Sequence, residues 1–428
     1  MTTTLAKPKP AAGSTPREVL PLAETVRPSD VAGVADAIRS AGADRQPVYP
    51  LGGRTGLDFG LIPTRSGLGL DLTDLNRVVD YTPRDMTIVV ESGMTVAALA
   101  AQLAAENQWL PIDVPRASEA TLGGAIATNW NGSRRYGHGT WRDYLIGISA
   151  VDGRGTAFKA GGRVVKNVAG YDFCKLLTGS LGTLGVITQL VFKVTPRPAV
   201  ETLLIAPCDD LQQAERALEA LSRQAAWASV VDLLVGSAWS AVLDLPESAA
   251  SAWLAIGVEG TAAEVTWMVD EIASGLRAVG VQGVQPQDDT QSALLRSVLT
   301  EFADHGPGEE VDESPLAIKA IVPPSATVDI IRMILAHDPR CAIQCHAGSG
   351  VVVARFAEFA AGDLTFALVG KLRPAAIQRG GSLIVLSSTL EGLSAPIVWG
   401  GRTTAHGIME KVKRAFDPHQ ILNPGRTF

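Results

Sequence analysis

Two glycine-rich stretches contain residue types that could bind a charged ligand. Residues 49–60 read YPLGGRTGLDFG, and residues 117–139 read ASEATLGGAIATNWNGSRRYGHG. Glycine permits positive φ and lets a ligand approach the backbone, and consecutive peptide N–H groups in such turns bind anions. A third loop, GSLGTLGVI, spans residues 179–187. Three such loops favour a large, extended ligand that contains a pyrophosphate.

Two common nucleotide-binding patterns do not account for these loops. Residues 117–139 contain no Gly-Lys-Ser or Gly-Lys-Thr, which excludes a P-loop there. The pattern G-x-G-x-x-G is not found between an early strand and helix, where a Rossmann fold would have it. The loops therefore predict a dinucleotide that is held by a different fold.

Length and composition limit the class of protein. The chain has 428 residues, which predicts two or three domains. Its net charge of −7 argues against a nucleic-acid partner, because such a binding surface would be basic. No apolar run approaches the roughly 20 residues of a membrane span, and the N-terminus lacks the apolar core of a secretory signal. We expect a cytoplasmic protein with at most peripheral membrane association.

Apolar periodicity predicts the elements that must position the loops. Before residue 198, helices, the first capped by Ser29, alternate with strands. After it, the order strand, helix, strand, strand, helix, strand occurs twice, which is the ferredoxin-like order. Residues 241–245 are predicted as a strand, and residues 285–314 as a polar linker between the two rounds. The prediction is an α+β protein with a broad antiparallel sheet and helices on one face of it.

The four cysteines offer little chemistry. Cys341 and Cys345 have a spacing that would suit half of a zinc site, but no second cysteine pair follows them. The alternative, which we favour, is that both are buried strand thiols. The chain also lacks the repeated C-x₂-C-x₂-C spacing of iron–sulfur ligands.

Three long segments resemble one flavoprotein family. They read PLGGRTG, PRASEATLGGAIATNWNGSRRYGHGTWRDYLIGISAV and GGRVVKNVAGYDFCKLLTGSLGTLGVITQLVFKVTPRP. They are similar, in this order, to the FAD-binding domain of the flavoproteins named for p-cresol methylhydroxylase (PCMH) and vanillyl-alcohol oxidase (VAO). KNVAGYD followed by GSLGTLGVI, and the C-terminal FDPHQILNPGR, resemble the branch of glycolate oxidase and the FAD-linked D-lactate and D-2-hydroxyglutarate dehydrogenases.

The resemblance implies a division of the chain. A flexible tail at residues 1–16 precedes a two-part PCMH/VAO-type FAD-binding domain at residues 17–198. A ferredoxin-like cap domain follows at residues 199–388, and residues 389–428 return to the FAD-binding domain.

The resemblance also implies which residues bind FAD. The loop around the pyrophosphate and the walls along the rest of the cofactor comprise Gly52, Gly53, Arg54, Thr55, Gly56, Leu57, Pro115, Thr121, Gly123, Gly124, Ala127, Thr128, Gly132, Tyr136, Gly137 and Ile187. Some relatives link the flavin covalently in the first loop. Because LGGRTGLDFG has no histidine or cysteine, we expect non-covalent FAD.

The metal site of single-chain relatives is interrupted in this sequence. Those relatives carry two histidines in G-H-x-G-D-G-N-x-H and later Glu-His-Gly. Here His346 matches the first histidine, whereas Val353 stands at the second. His406 remains, but Ala405 replaces the glutamate before it. Too few ligands remain for a metal, so we expect no metal and a packing or hydrogen-bonding role for both histidines.

These departures, with Leu181 at a position where relatives have glutamate, resemble the FAD-binding subunits of glycolate oxidase complexes. The implied function is flavin-dependent oxidation of glycolate, a 2-hydroxy acid, to glyoxylate. The implied partners are a catalytic flavoprotein subunit and an iron–sulfur subunit. Two alternatives stay open: a self-sufficient FAD-linked dehydrogenase of another 2-hydroxy acid, and a structural subunit that has lost flavin.

No catalytic residue is identified from the sequence. Lys166 and Asp172 could form an acid–base pair, but an internal ion pair or a solvated turn is the interpretation we favour.

Overall fold

A computed structural model describes residues 20–163, 170–245, 248–305 and 314–427. The strands are β1 (Leu22–Val26), β2 (Val48–Leu51), β3 (Gly67–Asp71), β4 (Val78–Thr82), β5 (Thr87–Glu91), β6 (Gln108–Trp109), β7 (Leu145–Val151), β8 (Ala157–Gly161), β9 (Val186–Lys193), β10 (Thr195–Pro196), β11 (Val200–Cys208), β12 (Val230–Val235), β13 (Ala252–Gly260), β14 (Gln285–Pro286), β15 (Leu316–Ile321), β16 (Ala342–His346), β17 (Val351–Phe356) and β18 (Ser382–Ser388).

The helices alternate with these strands. They are α1 (Val31–Ala43), α2 (Val96–Ala104), α3 (Leu122–Thr128), α4 (Arg135–His138), α5 (Trp141–Tyr144), α6 (Phe173–Leu177), α7 (Leu211–Leu221), α8 (Ser237–Leu243), α9 (Ala262–Ala278), α10 (Asp289–His305), α11 (Thr327–His337), α12 (Arg373–Gln378), α13 (Ala395–Val398) and α14 (His406–Phe416). A π-helical segment, Leu364–Leu372, leads into α12.

The N-terminal part of the described chain forms two sheets. β1, β3 and β2 form a parallel sheet in that order, and β4, β5, β9, β7 and β8 form an antiparallel sheet. The first helix, α1, is capped by Asp30, whose side chain accepts from Gly33 N, and not by the predicted Ser29. Thr95 caps α2 in the same way, by accepting from Ala98 N.

The C-terminal part forms one antiparallel sheet of eight strands. Their order is β14-β11-β13-β12-β16-β17-β15-β18. Each half has the ferredoxin-like order, and the halves meet where β12 pairs with β16. The predicted fold class, an α+β protein with a PCMH/VAO-type fold and a duplicated ferredoxin-like sheet, is confirmed.

The sequence predicted helices on one face of this sheet, whereas the structure has helices on both faces. Buried residues of α7, α9 and α11 pack on one face, as Ala214, Ile272 and Ile331 illustrate. On the other face α10 packs Leu295, Leu299 and Phe302 against β11. The prediction of a polar linker at residues 285–314 was therefore wrong for the part that forms α10. The buried residues of α10 recur at helical spacing between polar residues.

One predicted strand is a helix. Residues 241–245 were predicted as a strand, but α8 occupies Ser237–Leu243 and buries Trp239, whose Nε1 donates to Ile343 O at 3.0 Å. Over such a short span, the alternation of apolar and polar residues does not distinguish the two-residue period of a strand from the 3.6-residue period of a helix.

The C-terminal segment pairs with the N-terminal sheets. Val48 N donates to Ile421 O at 2.7 Å, and Asn423 N donates to Val48 O at 2.8 Å. These bonds place the last described residues beside the loop that follows β2. Within the described ranges, no helix combines the length and apolar character needed to cross a bilayer.

Candidate functional site

A large cavity, called the main cavity below, lies beside the glycine loops. The cavity and the solvent space at its open mouth together enclose about 1320 Å³. Thirteen of the sixteen predicted FAD-binding residues line it, namely Gly52, Gly53, Arg54, Thr55, Gly56, Leu57, Pro115, Thr121, Gly123, Gly124, Ala127, Thr128 and Ile187.

Glycine is required in the first loop because two backbone segments meet there. A Cβ on Gly53 would overlap the carbonyl oxygen of Glu119, and a Cβ on Gly52 would overlap the hydroxyl of Thr121. Thr121 is itself the N-cap of α3 and accepts from Gly124 N. These glycines therefore bring the loop after β2 against the start of α3, so that both line one cavity.

The first loop presents backbone donors. None of the amide N–H groups from Gly52 to Gly56 donates a hydrogen bond to another residue of the described chain. Consecutive backbone N–H groups that have no partner in the protein favour an anion. This arrangement suits the pyrophosphate of a dinucleotide.

Two unsatisfied side-chain atoms point to a polar ligand. Ser92 Oγ and Asn423 Oδ1 are buried without a hydrogen-bond partner among the described residues, and both residues line the main cavity. The other amide atom, Asn423 Nδ2, donates to Leu181 O at 2.6 Å, which fixes the side-chain orientation. A buried polar atom without a partner is costly, so the residues present fit a ligand that supplies hydrogen bonds.

Charged residues line the main cavity as well. Burial, together with the negative charge of Asp304, raises the pKa of Asp58. Burial lowers the pKa of Arg426 to about 10, against the nearby charge of Asp58. Arg426 Nη1 donates to Leu57 O at 2.7 Å and to Leu61 O at 3.1 Å. Arg426 thus holds the C-terminal segment to the end of the first loop.

Three predicted residues do not line the main cavity. A Cβ on Gly132 would contact Asp113, and Gly137 N donates to Ser229 O at 3.0 Å. Tyr136 lies against Gly348, so closely that a Cβ on that glycine would overlap its ring. Tyr136 and Gly137 join the stretch after α3 to the eight-stranded sheet, whereas Gly132 packs within the N-terminal part.

Several lining residues come from distant segments and were not predicted. They include Asp58, Phe59, Ser92, Trp130, Leu181, Ala303, Asp304, Leu386, Ser387, Asn423 and Arg426. Trp130 closely follows the predicted residue Thr128 in the sequence, and Arg426 lies in the NPGR motif. These two features were the sequence signals that could have identified Trp130 and Arg426 as lining residues. Nothing in the local sequence of Ala303 or Ser387 indicates the cavity.

His346 belongs to a buried polar cluster. Its Nδ1 lies 2.8 Å from Asp232 Oδ1, while Asp232 Oδ2 accepts from Ser133 Oγ at 2.6 Å and from Gln344 Nε2 at 2.9 Å. Ser133 precedes α4 and the other three lie on β12 and β16, so the cluster connects the N-terminal part to the eight-stranded sheet.

His406 and Val353, which align with metal-binding positions in the resemblance described above, have ordinary structural surroundings. His406 Nδ1 accepts from Thr403 N at 2.9 Å at the start of α14. Val353 is buried on β17. Across the part of the chain that the structure describes, no three His, Cys, Asp or Glu residues group closely enough to hold a metal ion.

Of the residues considered above as an acid–base pair or as zinc ligands, those that the structure describes do not line the main cavity. Asp172 caps α6 by accepting from Lys175 N at 3.0 Å, whereas Lys166 lies outside the described residues. Cys341 and Cys345 are buried, and burial raises the pKa of both thiols.

Comparison with known protein families gives the class. Residues 22–161 match the FAD binding domain model, and residues 197–384 and 402–427 match the C-terminal domain model of FAD linked oxidases. With the fold and the main cavity, these matches define a FAD-linked oxidoreductase. The chain belongs to the family of FAD linked oxidases.

Named relatives fall in the 2-hydroxy-acid branch. The chain is 29% identical to D-2-hydroxyglutarate dehydrogenase of Xanthomonas citri pv. viticola, over 94% of this chain and 88% of the relative. It is 27% identical to glycolate oxidase subunit GlcD of Bacillus subtilis, over 90% and 84%. Glycolate oxidase subunit GlcE of Escherichia coli is 35% identical, but over only 38% of this chain and 46% of the relative.

A solved structure supports the fold. p-Cresol methylhydroxylase with substrate bound has a TM-score of 0.74 and 17% identity, over 94% of this chain and 88% of that chain. At this identity the likeness concerns the fold alone.

Proposed function

We propose that the chain oxidises a small 2-hydroxy acid with FAD held non-covalently in the main cavity. The observation that carries the proposal is the free N–H groups of Gly52–Gly56 in a cavity that also contains the unsatisfied atoms of Ser92 and Asn423. When bound, FAD supplies the chemistry, because it accepts the two electrons and the hydrogen that leave C2 of the acid. The product is the 2-oxo acid, and the hydroxyl proton leaves to a base.

The chain's own residues bind and orient. The Gly52–Gly56 loop and the start of α3 would hold the phosphates and the ribityl chain, and the backbone beside Ile187 would hold the adenine. Among the described residues that line the main cavity there is no histidine, cysteine or tyrosine to form a covalent flavin link. Full-length similarity to a dehydrogenase and to subunit GlcD favours oxidation at this chain's own flavin.

A second candidate is a flavin-carrying subunit of a glycolate-oxidising complex. The interrupted metal pattern at Val353 and Ala405 favours it, as does the similarity to subunit GlcE. In this proposal, a catalytic flavoprotein subunit and an iron–sulfur subunit complete the complex.

Anaerobic addition of glycolate, D-lactate or D-2-hydroxyglutarate to the purified chain tests both proposals. Loss of the oxidised-flavin absorbance with any of these acids supports oxidation on this chain. A flavin that all three leave oxidised, but that glycolate reduces after partner subunits are added, supports the second candidate. A flavin that stays oxidised in both settings contradicts both. Acid precipitation should release the FAD into solution, whereas covalent flavin would stay in the pellet.

A further inference from the structure

A second cavity lies at the junction of the N-terminal part and the eight-stranded sheet. The cavity and the solvent space at its open mouth together enclose about 1820 Å³. One wall is formed by α2 and β6, and the facing wall by α10 and the start of β11. Val114 lines both this cavity and the main cavity, so the two are neighbours. None of the residues predicted to bind FAD lines the second cavity.

The wall on the side of α2 is apolar. Ala97, Ala100 and Ala104 follow one another at helical spacing on α2 and line the second cavity, and the ring of Trp109 lines it beside them. Ala100 and Ala104 are exposed, and Trp109 is partly exposed. Ligand sites in proteins combine such an apolar lining with a few polar groups that orient the ligand. This wall suits the apolar body of a ligand.

The other side of the second cavity carries arginine side chains. Arg134 Nη1 donates to Asp113 Oδ1 at 2.5 Å, and Arg134 Nη2 donates to Glu201 Oε2 at 2.8 Å. Arg134 Nε is buried and has no hydrogen-bond partner among the described residues. Buried polar atoms are normally hydrogen-bonded, so this N–H group is a donor for which the described chain supplies no acceptor.

Arg296 on α10 adds a second guanidinium group to the same side. Its Nη1 lies 3.2 Å from the Glu201 oxygen that Arg134 also contacts, and no other described residue pairs with it. Burial, and then the positive charge of Arg134, lower the pKa of Arg296 against the nearby carboxylates. Two partly desolvated arginines therefore share one carboxylate oxygen, and a further carboxylate would accept from the N–H groups that remain.

The mouth of the second cavity does not supply that carboxylate. Arg197 and Asp289 line it and are both exposed. Their opposite charges offset each other, and exposed charges interact only weakly through water. The two sides of the cavity thus differ in chemistry, one apolar and one with unused cationic donors.

We infer that the second cavity binds a carboxylate with an apolar body. The carboxylate would accept from Arg296 and Arg134, and the body would pack on Trp109 and the alanines of α2. The body is that of an aromatic acid or of an aliphatic acid, since both have the chemistry that the two walls require. The inference does not depend on the proposed function, because it concerns a cavity outside the predicted FAD site.

Titration calorimetry on the full-length protein tests the inference with 2-naphthoate and octanoate as probes. We expect at least one of them to bind, and the tighter of the two tells an aromatic from an aliphatic body. The matching alcohol, 2-naphthalenemethanol or 1-octanol, should bind at least about tenfold more weakly than its acid, because it lacks the charge that the guanidinium groups recognise.

Ala100→Phe fills the second cavity from an exposed helix position. It should weaken binding of the acid at least about tenfold, because the added ring occupies the place of the apolar body. Ala101→Phe is the matched control, because Ala101 is exposed on the same helix but does not line the cavity. This pair keeps the inference testable if a variant with a changed arginine does not fold.

Arg296→Met tests the polar side of the second cavity. It should weaken binding of the acid at least about tenfold and leave the weak binding of the alcohol unchanged. Arg223→Met removes only an exposed ion pair with Glu219 and should bind the acid as the wild type does.

Three outcomes overturn the inference. They are wild-type protein that binds neither acid, an alcohol that binds as tightly as its acid, and an Ala100→Phe variant that keeps the affinity of the wild type. The last result would place the ligand elsewhere, for example in the main cavity. A preparation without flavin contradicts the proposed function alone, because calorimetry on the second cavity requires no flavin.

Discussion

His346 Nδ1 lies 2.8 Å from Oδ1 of Asp232, and both side chains are buried at the junction of the N-terminal part and the eight-stranded sheet. The resemblance gives the first of these residues a metal-binding role in relatives. Here its ring nitrogen is engaged by a carboxylate that also accepts from Ser133 and Gln344. The structure gives this histidine a hydrogen-bonding role within the junction.

Asp232→Ala should strongly destabilise the protein. The substitution leaves Ser133, Gln344 and His346 without their shared acceptor, and breaking a buried polar network typically costs about 3–5 kcal/mol. Urea unfolding followed by circular dichroism measures the change. Asp270→Ala, at an exposed position of α9, should change the free energy of unfolding by no more than about 0.5 kcal/mol. Equal effects of the two substitutions would show that the network contributes nothing.

Gly53→Ala should weaken FAD binding at least about tenfold, equivalent to about 1.4 kcal/mol. A Cβ at this position would overlap the carbonyl oxygen of Glu119, so the loop must move away from the start of α3. Fluorescence titration with FAD measures the affinity. Gly401→Ala is the control, because a Cβ there meets no atom within 4 Å. Unchanged FAD affinity for Gly53→Ala would place the cofactor elsewhere.

Arg426→Met should lower the free energy of unfolding by about 2–3 kcal/mol, because the carbonyl groups of Leu57 and Leu61 lose a charged donor. The same variant should lose FAD more readily, since Arg426 lines the main cavity. Thermal and urea unfolding, with the flavin content after gel filtration, test both effects. Arg402→Met removes only an exposed ion pair with Glu410 and should have little effect. Full stability of Arg426→Met contradicts the role of its buried bonds.

Local sequence was enough to predict the loops and most elements. The ferredoxin-like order of strands and helices, predicted from apolar periodicity, is the observed one. The sequence drew attention to the glycines of the first loop. They were predicted to give room to a ligand, and the structure shows that Gly52 and Gly53 also let two backbone segments touch.

Contacts between distant segments could not be predicted. Lys319 and Trp130 lie far apart in the sequence and meet only because β15 and the stretch after α3 face the same interface. The fold places Asn423 and Arg426 at the main cavity in the same way. Helix α10 was missed for a different reason. Many polar residues lie between Leu295, Leu299 and Phe302, and the segment was therefore interpreted as a polar linker although these three residues recur at helical spacing. The boundaries of the domains and the covalent state of FAD stay predictions.

The most direct test is the absorbance spectrum of the purified full-length chain, recorded before and after addition of FAD and gel filtration. If FAD occupies the main cavity, the wild type carries an oxidised-flavin band that gel filtration does not remove, and Gly53→Ala carries much less. A wild-type protein that shows no such band, even after FAD is added back, would contradict the assignment of the main cavity to FAD.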